Sequence, residues 1–250
     1  MSRVISAQAW SAFVAACDKV ADSAAAAVEA AILEWCAANP TATTAEARAA
    51  AIDIMARIVP NSDQAAAALS AAWYDALAQT AGVELPQAVT NAVYVAKDAD
   101  EVARYQAQQY EKSPAAFARA CGEYARNDAN RSVNQTVMAN VKRDGGKGVR
   151  FARVCAGGDT CTFCMMLASR GAVYHSRKTA GEFSHFHRNC RCKVVPGFEK
   201  GASAVLVEGR DPADMMDMWE AFKAIDDDKG LTPAERSAKK AALWESGGTD

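Results

Sequence analysis

Along the first part of the chain, apolar residues recur at alternating steps of four and three: Trp10, Val14, Cys17, Ala21, Ala24, Val28, Ala31 and Trp35. This heptad-like seam predicts one helix roughly 38 Å long, because each helical residue adds about 1.5 Å. Alanine, the strongest helix former, dominates the seam, so close packing on another helix is expected, within the chain or in a second copy. Pro40 in "NPTATT" ends the run. Thr43 and Glu46 stand at capping-box spacing and open a second helix through about Val59, which Pro60 is expected to stop. A third helix is expected from about Ser62 to Ala81, with Gly82 as its stop. The stretch from Val83 to Lys97 has no clear period. Asp98 and Glu101 repeat the cap spacing before "VARYQAQQYEK". Ser113 and Pro114 place a cap ahead of the preferred first helical residue, opening a helix expected to reach Arg143.

"DGGKG" at 144–148 breaks the helical pattern, and the main boundary is placed there. "VRFARV" and "CKVVP" are short and β-branched, hence predicted strands. Helix returns after Pro196: Asp211-Pro212 opens "ADMMDMWEAFKAI", and Thr232, Pro233 and Glu235 cap a last helix. The expected class is therefore mainly α. A helical body (1–144) precedes a small α+β module stapled by Cys and His, zinc-ribbon-like (145–198), and a C-terminal helical segment follows (199–250).

Of the 250 residues half are hydrophobic, enough for one large domain or two small ones. The net charge of −2 hides an uneven distribution. Residues 142–193 hold eleven Lys and Arg against three acids, a local charge of +8 that suggests contact with something acidic, or docking on an acidic body. No apolar run nears the ~20 residues that span a bilayer, so no membrane association is expected. "VAAC" at 14–17 resembles a lipoprotein cleavage site, but Ser6, Gln8 and Ser11 interrupt the run before it. No leader is expected, and assembly in the host cytoplasm is.

All three histidines (His175, His185 and His187) and four of the eight cysteines lie between Cys161 and Cys192. Cys161-x2-Cys164 followed by His187-x2-Cys190-x-Cys192 offers two short-spaced donor groups, as a tetrahedral zinc site requires. A module of about fifty residues has a thin core and gains most from such a staple. Oxidised cysteine pairs and buried free thiols are the alternatives; Cys155 and His175 are spare donors. A catalytic reading is weaker. The order is the reverse of the nucleobase deaminase arrangement. A metal-dependent nuclease built on "HFHRN", with Glu182 or Asn189 nearby, is the alternative function. No catalytic residue is assigned.

"VCAGGDTCTFCMMLASRGAVY" followed by "HRNCRCKVVP" resembles the C-terminal signature of the Mu F-like minor head proteins of tailed phages. The matching positions are Cys161, Cys164, Leu167, Gly171, His187, Cys190, Arg191, Cys192 and Pro196; Arg170-Gly171 stands where the family has a short Asp-Gly turn. The resemblance covers about residues 115–198. It implies a low-copy structural protein inside the virion head, near the portal. Its expected partners are the portal protein, the capsid shell and a second copy of the chain, rather than a substrate. Arg150, Arg153, Arg188, Arg191 and Lys193 are the candidate sequence-independent contacts to packaged DNA.

Overall fold

The computed structural model describes residues 4–157, 160–174, 192–198 and 205–247, and it is mainly helical. Helices α1 (Ala7–Ala38), α2 (Thr44–Ala81), α3 (Ala96–Gln106) and α4 (Pro114–Asp144) come first. Strand β1 (Arg150–Val154), helix α5 (Thr162–Ala168), strand β2 (Lys193–Gly197) and helices α6 (Pro212–Asp227) and α7 (Pro233–Glu245) follow. Two compact units result: a helical unit of Ala15–Ala71 and Val89–Thr136, and a mixed unit of Met1–Val14, Ala72–Ala88 and Val137–Asp250. The boundaries expected near 144 and 198 do not delimit them, because α1, α2 and α4 each run from one set of residues into the other.

The helical unit explains the apolar seam. Ala24, Val28 and Ile32 of α1 pack with Ala51, Ile54, Met55 and Val59 of α2, Ala99 and Ala103 of α3, and Phe117, Ala118 and Cys121 of α4. The seam from Cys17 to Val28 is thus covered from within the chain and is not a surface left for a partner. Small residues set the spacing. A Cβ on Gly122 of α4 would lie 2.7 Å from the carbonyl oxygen of Ala25, so only glycine permits this approach.

Pro60 does not end a helix as its sequence position suggested; α2 runs straight through it for 38 residues. The proline removes one ladder donor, but nearby carbonyls find others: Asn61 Nδ2 donates to Arg57 O and Ser62 Oγ to Ile58 O. Burial of Met55 and Val59 before the proline and of Ala66 and Ala67 after it holds both halves. The cap at Asp98 is also corrected. Helix α3 starts at Ala96 after Val95, which makes no side-chain cap, and α-helix gives way after Gln106 to a 3-10 turn. The other punctuation is as expected. Thr43 and Glu46 bond reciprocally, as do Thr232 and Glu235. Ser113 Oγ accepts from Ala116 N, Asp211 caps α6, and Gly82 ends α2 at φ +70°.

The aperiodic stretch after α2 has an extended backbone read by side chains of α4. In the helical unit, Asn91 N donates to Thr136 Oγ1, Val93 N donates to Ser132 Oγ, and Arg131 donates to Val93 O. In the mixed unit, Arg143 donates to the carbonyls of Pro86 and Gln87, Lys147 to that of Glu84, and Ala88 N donates to Asp75. Helix α4 buries polar residues as well as apolar ones: Asp128, Ser132, Asn134, Thr136 and Asn140 are interior, beside the apolar row Phe117, Cys121, Ala125, Ala129, Val133, Val137 and Val141. The polar side chains so buried are held by partners such as the backbone groups of residues 91 and 93.

In the mixed unit β1 and β2 pair antiparallel, with Arg150 opposite Gly197 and Val154 opposite Lys193. Phe151 also exchanges both backbone hydrogen bonds with Tyr174. Val149, Phe151, Tyr174, Leu167 and Val194 form a core with Tyr74 of α2 and Val137 and Val141 of α4. The Tyr74 hydroxyl donates to Asp144 at 2.8 Å. Burial alone would raise the Asp144 carboxyl, but Arg143 and Tyr74 outweigh it and hold it below its ordinary value. A second cluster joins Cys155, Met165 and Ala168 to Met215, Met218 and Phe222 of α6. The segment expected to be separate from residue 199 onward thus packs on the cysteine-bearing part. No helix among the described residues is long and apolar enough to cross a membrane.

Candidate functional site

The cysteines converge where a short helix meets a strand. Cys161 precedes α5 in extended conformation, and its Sγ accepts from Cys164 N at 3.3 Å, so the thiol serves as the helix cap. One turn later Cys164 points inward and is buried. Cys192, just ahead of β2, brings its Sγ to 3.3 Å from Cys164 Sγ. Arg153 of β1, across from Val194 in the register, directs Nη2 at both: it donates to Cys192 Sγ and reaches Cys164 Sγ at 3.7 Å. Three sulfurs and one guanidinium therefore share one small volume, with positive charge beside soft donors. Cys161 is only half-buried and lines an open cavity of about 340 Å³ with Asp226, Arg236 and Lys240, which gives the cluster a side facing outward.

Of the candidate metal ligands, the structure brings Cys161, Cys164 and Cys192 together. His187 and Cys190 lie outside the described residues, as do His175 and His185. Among the described residues alone, no group of three or more Cys, His, Asp or Glu side chains is arranged to hold a metal ion. The donor chemistry suits zinc; the enclosure needs more than these three thiols. The zinc-ribbon-like part of the expected class is thus not reproduced among the described residues; what they form is one antiparallel strand pair flanked by α5. Cys155, the spare donor among the described residues, is buried against Met165, and burial pushes its thiol above the ordinary value.

The candidate phosphate contacts fare unequally. Arg153 is only 7% exposed and Lys193 0%, so both are interior groups and neither reaches a phosphate in this arrangement. Arg150 is half-buried and donates to the carbonyls of Gly145 and Val149. Arg188 and Arg191 lie outside the described residues. Both strands are buried on both faces, so alternation along them gives no sign that Arg153 and Lys193 point inward.

A mainly α-helical chain with a small cysteine-lined strand pair is the class that the fold and this cluster define. A family model described as VG15 protein matches residues 4–222, so the chain belongs to the VG15 family and is a phage protein. No curated protein and no solved structure matches it significantly.

Proposed function

We propose that this chain is a structural minor head protein of a tailed phage, of the Mu F-like kind, acting at the portal and shell during head assembly. The observation that carries the reading is the meeting of Cys161 and Cys164, at the start of α5, with Cys192, just ahead of β2. It gives the "CTFC … CRC" signature a structural purpose: joining two segments some thirty residues apart. Membership in the VG15 family supports the phage setting. Zinc held by Cys161, Cys164 and Cys192, completed by His187 or Cys190, would supply the staple, with Arg153 offsetting thiolate charge. The test is mass spectrometry of purified procapsids and virions. The protein should be present in both at a copy number far below that of the shell protein. Its absence from both overturns the reading.

Contact with packaged DNA belongs to the same proposal and narrows to Arg150, Arg188 and Arg191. Weak duplex binding that falls steeply with salt is expected, and replacing these three by alanine should reduce the slope of log affinity against log salt by about two to three. Arg153→Ala and Lys193→Ala are unsuitable for this measurement, because both side chains are interior. Binding that ignores salt would remove DNA from the role.

A further inference from the structure

The helical unit holds a buried acidic pair that the proposed role leaves unused. Asp63 of α2 is 0% exposed, and neither carboxyl oxygen receives a donor from the surrounding residues. The group at hydrogen-bonding range is a second carboxyl, that of Asp128 on α4, itself 2% exposed. Two ionised carboxylates facing each other in an interior repel and leave their lone pairs unanswered; a single proton between them resolves both defects. The nearby cation does not reach both acids. Arg131 pairs with Asp128 and Asp98 and donates its remaining Nη2 bond to Val93 O. Tyr124 donates to Asp128 at 3.4 Å, and the buried Tyr94 hydroxyl has no partner. Among the described residues, Arg131, Asp98, Tyr94 and Tyr124 are the titratable groups whose charges act on the pair.

We infer that Asp63 and Asp128 hold one proton between them, and that this proton ties α2 to α4 in the helical unit. Arg131 sits on Asp128, so the proton resides on Asp63, which donates to Asp128. Burial first, and then the Asp128 charge, push the Asp63 carboxyl up to about 8. The sign follows from linkage. Unfolded, both acids ionise near about 4; folded, the pair keeps a proton that the unfolded chain has lost. The stabilisation is complete in acid, declines as pH rises, and is gone once the folded pair has lost its proton. The two carboxyls titrate as a unit, so the measured step belongs to the pair. The helical unit is thereby tighter in mildly acidic solution than in mildly alkaline solution.

Hydrogen exchange on the full chain tests this. Peptides covering residues 59–66 and 124–131 are followed from pH 5 to pH 9, with rates corrected for the intrinsic dependence of exchange on pH. In the wild type, opening should increase by up to about tenfold per pH unit and level off above about pH 8. Asp63→Asn keeps a neutral donor toward Asp128 and should show no such trend, with slower exchange than the wild type at pH 8–9. An unchanged trend in Asp63→Asn overturns the inference. Infrared spectroscopy of the wild type provides a measurement that does not depend on the variant's folding. A carbonyl band of a protonated carboxylic acid should be present at neutral pH and disappear in alkali; its absence at pH 6–7 also overturns the inference.

Discussion

Replacing Cys161 and Cys164 together by serine is expected to release about one zinc ion per chain and to unfold residues 149–197 while the helical unit stays folded. Structural zinc contributes on the order of 10 kcal/mol of apparent folding free energy, more than the packing of a five-residue strand pair and a two-turn helix on their neighbours is expected to replace. The single change Cys161→Ser is the sharper test. Serine is a strong helix cap, better placed than cysteine to accept from Cys164 N. If Cys161 served only as a cap, the variant would be as stable as the parent or more so. Loss of metal together with loss of exchange protection in β1 and β2 identifies the sulfur as a ligand. Wild-type protein that is free of metal after reducing purification, with β1 and β2 fully protected, would remove zinc from the account.

Val28→Asp is expected to remove a large part of the stability of the helical unit, and all of it if that unit lies at the low end of the range for domains. Val28 is 0% exposed and touches a core built from three other helices. An aspartate there has no cation within that core. An uncompensated buried charge costs on the order of 3–5 kcal/mol, against a total of about 5–15 kcal/mol for a typical domain. Circular dichroism should show a strongly lowered thermal transition in the isolated monomer. A variant that kept the parent's transition and failed only to enter heads would mean that a partner, not α2 and α4, covers the seam.

The sequence made most helix ends legible because caps are local. Thr43, Ser113, Asp211 and Thr232 each satisfy an amide within three residues, and no tertiary information is needed to see it. Pro60 is no stop for the opposite reason: the penalty of a proline is local, but burial of Met55 and Val59 before it and of Ala66 and Ala67 after it is tertiary and outweighs it. Helix α4 is legible from its Ser113-Pro114 start and ends at Asp144, one residue past the expected Arg143, but its caps say nothing of the polar residues it buries. The run "NDANRSVNQT" carried the signal in another form, a long helical stretch with too many amides and hydroxyls for a solvent face. Within the candidate site, Cys161, Cys164 and Cys192 were legible from spacing. Arg153 was legible only as a base, since the sulfurs it meets lie 11 and 39 residues away. Asp63 and Asp128 were not legible as a pair. Each looks like an ordinary helix-surface acid until α2 and α4 are placed together.

The extended stretch of residues 83–95 is gripped by its backbone, and that inverts the usual relation between exposure and evolutionary freedom. A residue that contributes only an amide or a carbonyl can change its side chain without loss. The outward-facing residues of 83–95 are therefore free to drift between relatives although the segment is structurally fixed, whereas Leu85, Ala88 and Tyr94 pack against the cores and are not. Proline alone is barred at Ala88, Asn91 and Val93, whose amides are in use. The constraint falls on the other party. Arg131, Ser132 and Thr136 cannot be exchanged for alanine without leaving a backbone group unanswered, at about 1–3 kcal/mol each. Invariance among VG15 proteins is thus expected in the polar letters of "RSVNQT", while the strand-like segment it holds carries the variation that distinguishes one phage from another.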